Sequence, residues 1–390
     1  MYSSGMGGAL RCLAIASDLS RRLPNASVLA LTDLPILGRF RFPRNFDYVH
    51  IPALGSNGGG ADLTPGLRSE SAAMGLRRTI AATTVESFEP DLMIVDRHPL
   101  GVGRELAPTL IALRERRPEM RLVLGLPDVI GDPGAVRESW DSTGAVDALR
   151  SLYDEVWVYG VSEVFDAARE YGLPDSVSKK FVYTGYLRYH VDADAARAKA
   201  LREGIRPESP LVLVSAGSGR GGFPLLDTYL DFLEKLDGMS DFQSHLVCGP
   251  FMPSDQRKAL EERSRQLPSV DVNTFHTNLM PYVHAATVVV AGFGYNTCCE
   301  LLSLTKPAVV VPCARANAEQ SVRARAMAER GLVDYLEPEE LGRERLGAMV
   351  LERLHERSRP LEGVIPMEGL DRVARRVIDH AADSGGVARV

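Results

Sequence analysis

The chain has 390 residues, 45% hydrophobic and 25% charged, the balance of a folded globular protein that is long for a single core. Lys and Arg number 45 against 51 Asp and Glu, a net charge of −6 that excludes a uniformly basic nucleic-acid binder. No apolar run approaches the roughly 18 residues of a membrane span, and the five cysteines (Cys12, Cys248, Cys298, Cys299, Cys313) show no C-x-x-C spacing for a structural zinc site or a disulfide framework.

From the N-terminus, MYSSGMGGALRC lacks a basic start followed by an apolar stretch, so it does not read as a signal peptide. A cytoplasmic protein with reduced cysteines is expected. Only Met1–Ser4 precede the Gly5–Gly8 loop, so the first strand is either very short or begins upstream of Met1. Ala9, Cys12, Leu13 and Ala16 then share one helical face. Short continuous apolar runs follow at Val28–Thr32, Tyr48–Ile51, Leu92–Val95, Leu122–Leu126, Val156–Tyr159 and Phe181–Tyr183. A second set comprises Leu211–Ser215, His245–Cys248, Val270–Phe275, Thr287–Ala291 and Ala308–Pro312. Continuous rather than alternating runs suit parallel strands buried on both faces, with helices between them. The fold class expected is α/β, as two Rossmann-like doubly wound domains. Residues 1–188 form the first and 210–383 the second, joined by an Ala- and charge-rich linker over 189–209; 384–390 are expected to be a flexible tail. Gly55–Gly60 reads as a surface loop within the first half.

Two glycine-rich turns stand out in the second half. Gly217, Gly219 and Gly222, in AGSGRGG, satisfy G-x-G-x-x-G after a strand. The next strand ends LVCGP without the acid that would hold the ribose of NAD, which argues against a dinucleotide. What remains is a turn whose amides meet phosphate oxygens, or a turn with no ligand. The second turn, AGFGYNTCCELL, leads from a strand into a helix near Tyr295. Its amides suit an anion, and Glu300 further along can accept both hydrogens of a ribose diol. The bland alternative is an N-capping turn followed by a solvated Glu. Asn317, Glu319 and Gln320, after the strand stopped by Pro312, can face sugar hydroxyls or simply cap a helix.

The segment GFGYNTCCELLSLTKPAVVVPCARANAEQSVRARAM resembles, in order and spacing, the donor half of GT-B glycosyltransferases. It is most similar to the C-terminal domain of glycosyltransferase family 28, which includes the bacterial peptidoglycan enzyme that transfers N-acetylglucosamine. LMIVDRHPLG, RLVLGLPDVIGDP, YDEVWVYG, EYGLPDSV, VYTGY and LVCGPFMP extend the likeness to predicted bacterial glycosyltransferases over nearly the whole chain. The resemblance implies a GT-B architecture, two Rossmann-like domains facing across a cleft, with a nucleoside-diphosphate sugar (UDP-linked) as co-substrate and no further cofactor. It assigns the diphosphate to the Gly217–Gly222 loop, with Ser218, Gly219 and Arg220, and to Gly294, Asn296 and Thr297, and counts Tyr295 among the donor-binding residues. It gives the ribose to Glu300, the donor sugar to Asn317, Glu319 and Gln320, and the nucleobase frame to Phe275 and His276. Transfer to an acceptor hydroxyl or amine, with inversion and without a metal, follows from the same likeness. The partners implied are the sugar nucleotide and a glycosyl acceptor, not nucleic acid; peripheral contact with a membrane stays open.

One departure matters. Relatives carry a His in a first-loop run like G-x-G-H-L-R-R, whereas GMGGALR places Gly8 there, between Gly7 and Arg11 of the acceptor loop. The replacement base expected is His98, oriented by Asp96 or Asp128, all at strand ends. The alternative for His98 is a solvated loop residue. Asp192-Ala193-Asp194 has D-x-D spacing but sits in the linker, so no metal site is expected. The rival readings are a sugar-nucleotide epimerase or hydrolase, and a sugar-nucleotide binder without turnover.

Overall fold

The computed structural model describes residues 1–54, 69–236, 241–267, 269–313, 318–355, 364–383 and 389–390. The expected loop Gly55–Gly60 therefore lies outside the described residues. The chain divides into two compact units, Met1–Leu187 with Pro366–Val390, and Arg188–Ile365.

The first unit is built on seven parallel strands: β1 (Tyr2–Ser3), β2 (Val28–Thr32), β3 (Phe46–His50), β4 (Leu92–Asp96), β5 (Arg121–Pro127), β6 (Glu155–Tyr159) and β7 (Phe181–Tyr183). Their order is β3-β2-β1-β4-β5-β6-β7. Leu122, Val123, Leu124 and Leu126 of β5 are wholly buried, which is why that run reads as continuous rather than alternating. The first strand is short, two residues, but pairs on both sides: Tyr2 is opposite Leu31 of β2 and Val95 of β4. Strand order reverses between β1 and β4. Loops leaving that point diverge and open a crevice at the carboxyl ends of the strands.

The second unit repeats the plan with β8 (Leu211–Ser215), β9 (Gln243–Val247), β10 (Val270–Asn273), β11 (Val288–Ala291), β12 (Ala308–Val310) and β13 (Asp334–Tyr335), in the order β10-β9-β8-β11-β12-β13. Val212, Val214, Leu246, Val290 and Val309 meet Leu226, Tyr229 and Leu230 of helix Phe223–Lys235 in one core. At about 1.5–3 kcal/mol for each fully buried side chain of this size, these strands are held by burial on both faces. The reversal falls between β8 and β11, so both glycine-rich turns leave the sheet at the switch point.

Three boundary expectations change. The stretch 189–209 is not a linker: Asp192 caps helix Ala193–Arg202 by accepting from the Ala195 amide at 3.0 Å, and this helix packs on helix Met280–Ala285 of the second unit. That capping also accounts for the D-x-D spacing. The second domain does not run to 383, because Pro366 onward rejoins the first unit. There the Tyr186 amide donates to Pro366 O at 3.0 Å, the Gly369 amide donates to Tyr186 O at 3.0 Å, and helix Gly369–Asp383 packs on helix Gly5–Arg22. Of the expected tail, 384–388 lie outside the described residues. Arg389 and Val390 are not loose: Leu29 N donates to Val390 O at 3.0 Å and Val390 N to Ser27 O at 2.9 Å.

Candidate functional site

In the second unit, β8 runs into Ala216–Gly222 and β11 into Gly292–Gly294. The glycines of the first loop serve different ends. Gly219 has φ +90°, and a Cβ there would lie 2.6 Å from Met252 N and 2.7 Å from Cys248 O. Gly249 faces it with φ +87° and an equally crowded Cβ position, so the two loops touch backbone to backbone, tied by Phe251 N donating to Ser218 O at 2.9 Å. A Cβ at Gly222 would strike Ala216. Gly217 differs: φ is +61° and a Cβ would meet nothing within 4 Å. Of the G-x-G-x-x-G pattern, two glycines thus serve packing and one borders open space. Arg220 is exposed, its guanidinium 4.9 Å from the Phe251 ring.

The second turn ends at Gly294, the N-cap of helix Tyr295–Leu304, with φ −62° and no side-chain capping bond of its own. A Cβ at Gly294 also meets nothing within 4 Å. A helix start that opens from a glycine beside open space suits an anion. The turn itself is braced from below. Gln320 Oε1 accepts from Phe293 N at 3.0 Å and from Cys313 N at 3.1 Å. Arg323, wholly buried, donates to Phe293 O at 3.0 Å and to Glu319 Oε1 at 3.1 Å. Gln320 and Glu319 are therefore engaged in holding the turn, and Tyr295 is buried with Arg323 5.7 Å from its ring centroid. Asn296 Oδ1 accepts from Tyr189 at 3.5 Å, and Thr297 is half-buried. Asn317 lies outside the described residues. His276 packs into a cluster with His245 and Tyr282.

Glu300 is the unusual group. Cys298, Cys299, Leu301 and Leu302 bury the other faces of its helix, leaving Glu300 half-buried. Among the described residues it has no hydrogen-bond or ion-pair partner. Burial alone pushes its carboxyl from the usual 4.5 up to about 7. A buried carboxylate without a partner is costly, and a hydroxyl-bearing ligand would relieve it.

In the first unit, Gly8, Arg11 and Asp96 come together. Arg11 donates from Nε to Asp96 Oδ2 at 3.0 Å and from Nη2 to Oδ1 at 2.7 Å, and both side chains are buried. A Cβ at Gly8 would lie 2.8 Å from Asp96 Oδ1 and 3.3 Å from Ser3 Cβ. The position is closed to His because Asp96, held by Arg11, fills the space. The N-terminus of helix Gly5–Arg22 is also taken: Gly5 N donates to Asp33 Oδ1 and Ser4 Oγ to Asp33 Oδ2, both at 2.7 Å. Asp33 in turn meets Arg77, a wholly buried cation that donates to Glu105 Oε1 at 2.6 Å and to Pro52 O at 2.6 Å.

His98 is half-buried and makes no side-chain hydrogen bond among the described residues. Burial first, and the Arg97 charge second, push it down to about 4, so it is neutral near pH 7. Arg97 between Asp96 and His98 has φ +67°, a strained conformation of the kind that collects at working sites. Neither acid orients the imidazole. Asp96 is gripped by Arg11, while buried Asp128 accepts from Val129 N at 2.7 Å and from Tyr186 Oη at 2.9 Å. Sequence reasoning missed Asp33, Arg77, Glu105 and Arg323. Only Asp33, directly after an apolar run, carried a signal; the others acquire roles through contacts distant in sequence.

Residues 211–366 match the glycosyltransferase family 28 C-terminal domain. A UDP-N-acetylglucosamine--N-acetylmuramyl-(pentapeptide) pyrophosphoryl-undecaprenol N-acetylglucosamine transferase of Bacillus thuringiensis is 27% identical over 264 residues, 67% of this chain. The chain spans 64% of that relative's length. Among solved structures, MurG of Acinetobacter baumannii aligns with TM-score 0.59 at 15% identity, covering 97% of this chain and 98% of that one. The UDP-GlcNAc 2-epimerase of Methanocaldococcus jannaschii aligns with TM-score 0.60 at 11% identity, covering 99% of each chain. At such identities these likenesses speak for the fold. Taken with the two sheets and their strand orders, they show that this is a GT-B-fold chain whose second unit matches the glycosyltransferase family 28 C-terminal domain.

Proposed function

We propose that this protein is a glycosyltransferase that takes a sugar from a nucleoside diphosphate, UDP by its relatives' names, and passes it to an acceptor hydroxyl or amine. The observation that carries the reading is Glu300, half-buried and without a partner among the described residues, on a helix that opens from the glycine N-cap Gly294. Diphosphate at the amides and ribose hydroxyls on the carboxylate satisfy both at once. The first unit offers no equivalent, since Asp33 already occupies its helix start. That contrast supports donor binding in the second unit.

In the reaction the acceptor oxygen or nitrogen attacks the anomeric carbon, and the bond to the β-phosphate oxygen breaks with its electron pair. The configuration inverts. The acceptor proton passes to a general base, and the charge on the leaving diphosphate is met by amides at Gly294–Thr297 and by Arg220. The reading asks for neither a metal nor a further cofactor. Incubation with a panel of UDP-sugars and mass spectrometry of the products tests it: a new glycoside is expected, and an isomer or free sugar alone would overturn it. One observation favours a second reading, binding without turnover: the first-loop His of relatives is absent and its place closed. That reading predicts UDP-sugar binding and unchanged donor with every acceptor.

A further inference from the structure

The second unit carries a buried cluster of titratable side chains around His276. His245, 2% exposed, lies in mid-β9 with its Nδ1 2.9 Å from Asp271 Oδ2 on β10. Its Nε2 is 3.0 Å from Nε2 of His276, which follows β10. Wholly buried Tyr282, from helix Met280–Ala285, stacks on both imidazoles, at 4.9 Å and 5° from His245 and at 4.1 Å and 26° from His276. Helix Ala193–Arg202 closes the cluster. Lys199 Nζ is 5.2 Å from the Tyr282 centroid, and Glu203 Oε2, just past the helix end, is 4.0 Å from His276 Nδ1.

The contacts set the proton count. Asp271 accepts, so His245 carries a proton on Nδ1. A single proton then joins the facing Nε2 atoms, and the bond survives while one ring leaves its Nε2 free to accept. With both rings fully protonated, two N–H groups would point at each other across 3.0 Å. The nearby countercharges are weak: Asp271 is mostly exposed, Glu203 stands at the edge of contact, and Lys199 adds positive charge.

We propose that the His245–His276 pair is an acid-sensitive latch: full protonation of both rings breaks the Nε2–Nε2 contact and frees helices Ala193–Arg202 and Met280–Ala285 from the β9–β10 face. Helix Met280–Ala285 packs on helix Tyr295–Leu304, so release reaches the helix that bears Glu300. The electrostatics agree in direction. His276 is pushed from 6.5 down to about 4, by burial first and by His245 second. A neutral native His is stabilising above the unfolded value of 6.5, and that stability is lost as pH falls through 6.5 towards 4. Counting only the proton that the opened state takes up on His276, the opening equilibrium shifts by about 30-fold between pH 7.5 and pH 5.

Hydrogen exchange of the full chain at pH 7.5 and 5, corrected for intrinsic rates, tests this. In the wild type, protection over residues 193–203 and 280–285 should fall about 30-fold at pH 5. His276→Gln, which keeps a donor but does not titrate, should lose most of that pH dependence. Equal protection at both pH values in the wild type, or the same loss in the variant, overturns the latch. Should His276→Gln not fold, imidazole nitrogen NMR of the wild type decides: His276 staying neutral and Nε2-protonated down to pH 5 supports it, and two independent titrations near 6.5 refute it.

Discussion

A residue kept for a ligand should cost the empty protein stability, and Glu300 permits that cost to be worked out. Its carboxyl is raised from 4.5 to about 7 by burial alone. The folded state therefore holds a proton there that the unfolded chain releases. Below pH 4.5 both states are protonated and the residue costs nothing. As pH rises from 4.5 through 7 the unfolded state gains, and above 7 the cost is complete. At 1.36 kcal/mol for each pH unit between those values, the full cost is about 3 kcal/mol. Glu300→Gln removes the charge and keeps the shape. Urea denaturation of the nucleotide-free protein at pH 8 should show the variant more stable by up to about 3 kcal/mol, shrinking towards zero at pH 4.5. A variant equally or less stable at pH 8 would show that the carboxylate has a partner in the protein, and the reasoning would fall.

Three further outcomes follow from crowding and charge. Gly219→Ala places a Cβ against Met252 N and Cys248 O and should cost at least about 3 kcal/mol, whereas Gly217→Ala, at φ +61° in open space, should cost about 1–2; thermal melts of the two variants compare them. Arg11→Met leaves Asp96 buried and unpaired, and should cost about 3–5 kcal/mol in urea denaturation, with Arg11→Met/Asp96→Ala less affected than Arg11→Met alone. Gly8→Ala should cost about 1–3 kcal/mol by overpacking, and less in an Asp96→Ala background, a coupling that a double-mutant cycle measures.

The sheets were legible because their strands are buried on both faces: Leu211–Ser215 and Val28–Thr32 stand in the structure as they read in the sequence. β13 was not, since Asp334–Tyr335 is only two residues long and has no apolar run to announce it. Nor was the return of Pro366–Val390 to the first unit, where buried Leu370, Val373, Ala374 and Val377 lie on a helix that packs on helix Gly5–Arg22, a contact distant in sequence. At the site, the helix that opens at Gly294 and carries Glu300 was legible from its glycine turn. Gln320 and Glu319 read as sugar contacts or helix caps; that Gln320 takes Phe293 N, and that Arg323, which pairs with Glu319, reaches Phe293 O, depends on a segment distant in sequence. Gly8 was visible as a departure, but its cause, Asp96 held by Arg11, lies on another strand.

Titration calorimetry of UDP into the wild type and Glu300→Ala at pH 7.5 tests the donor assignment most directly. The wild type should bind, and the variant should lose more than about 1 kcal/mol, the scale of a hydrogen bond to a charged group. Equal affinity in the two proteins would contradict it.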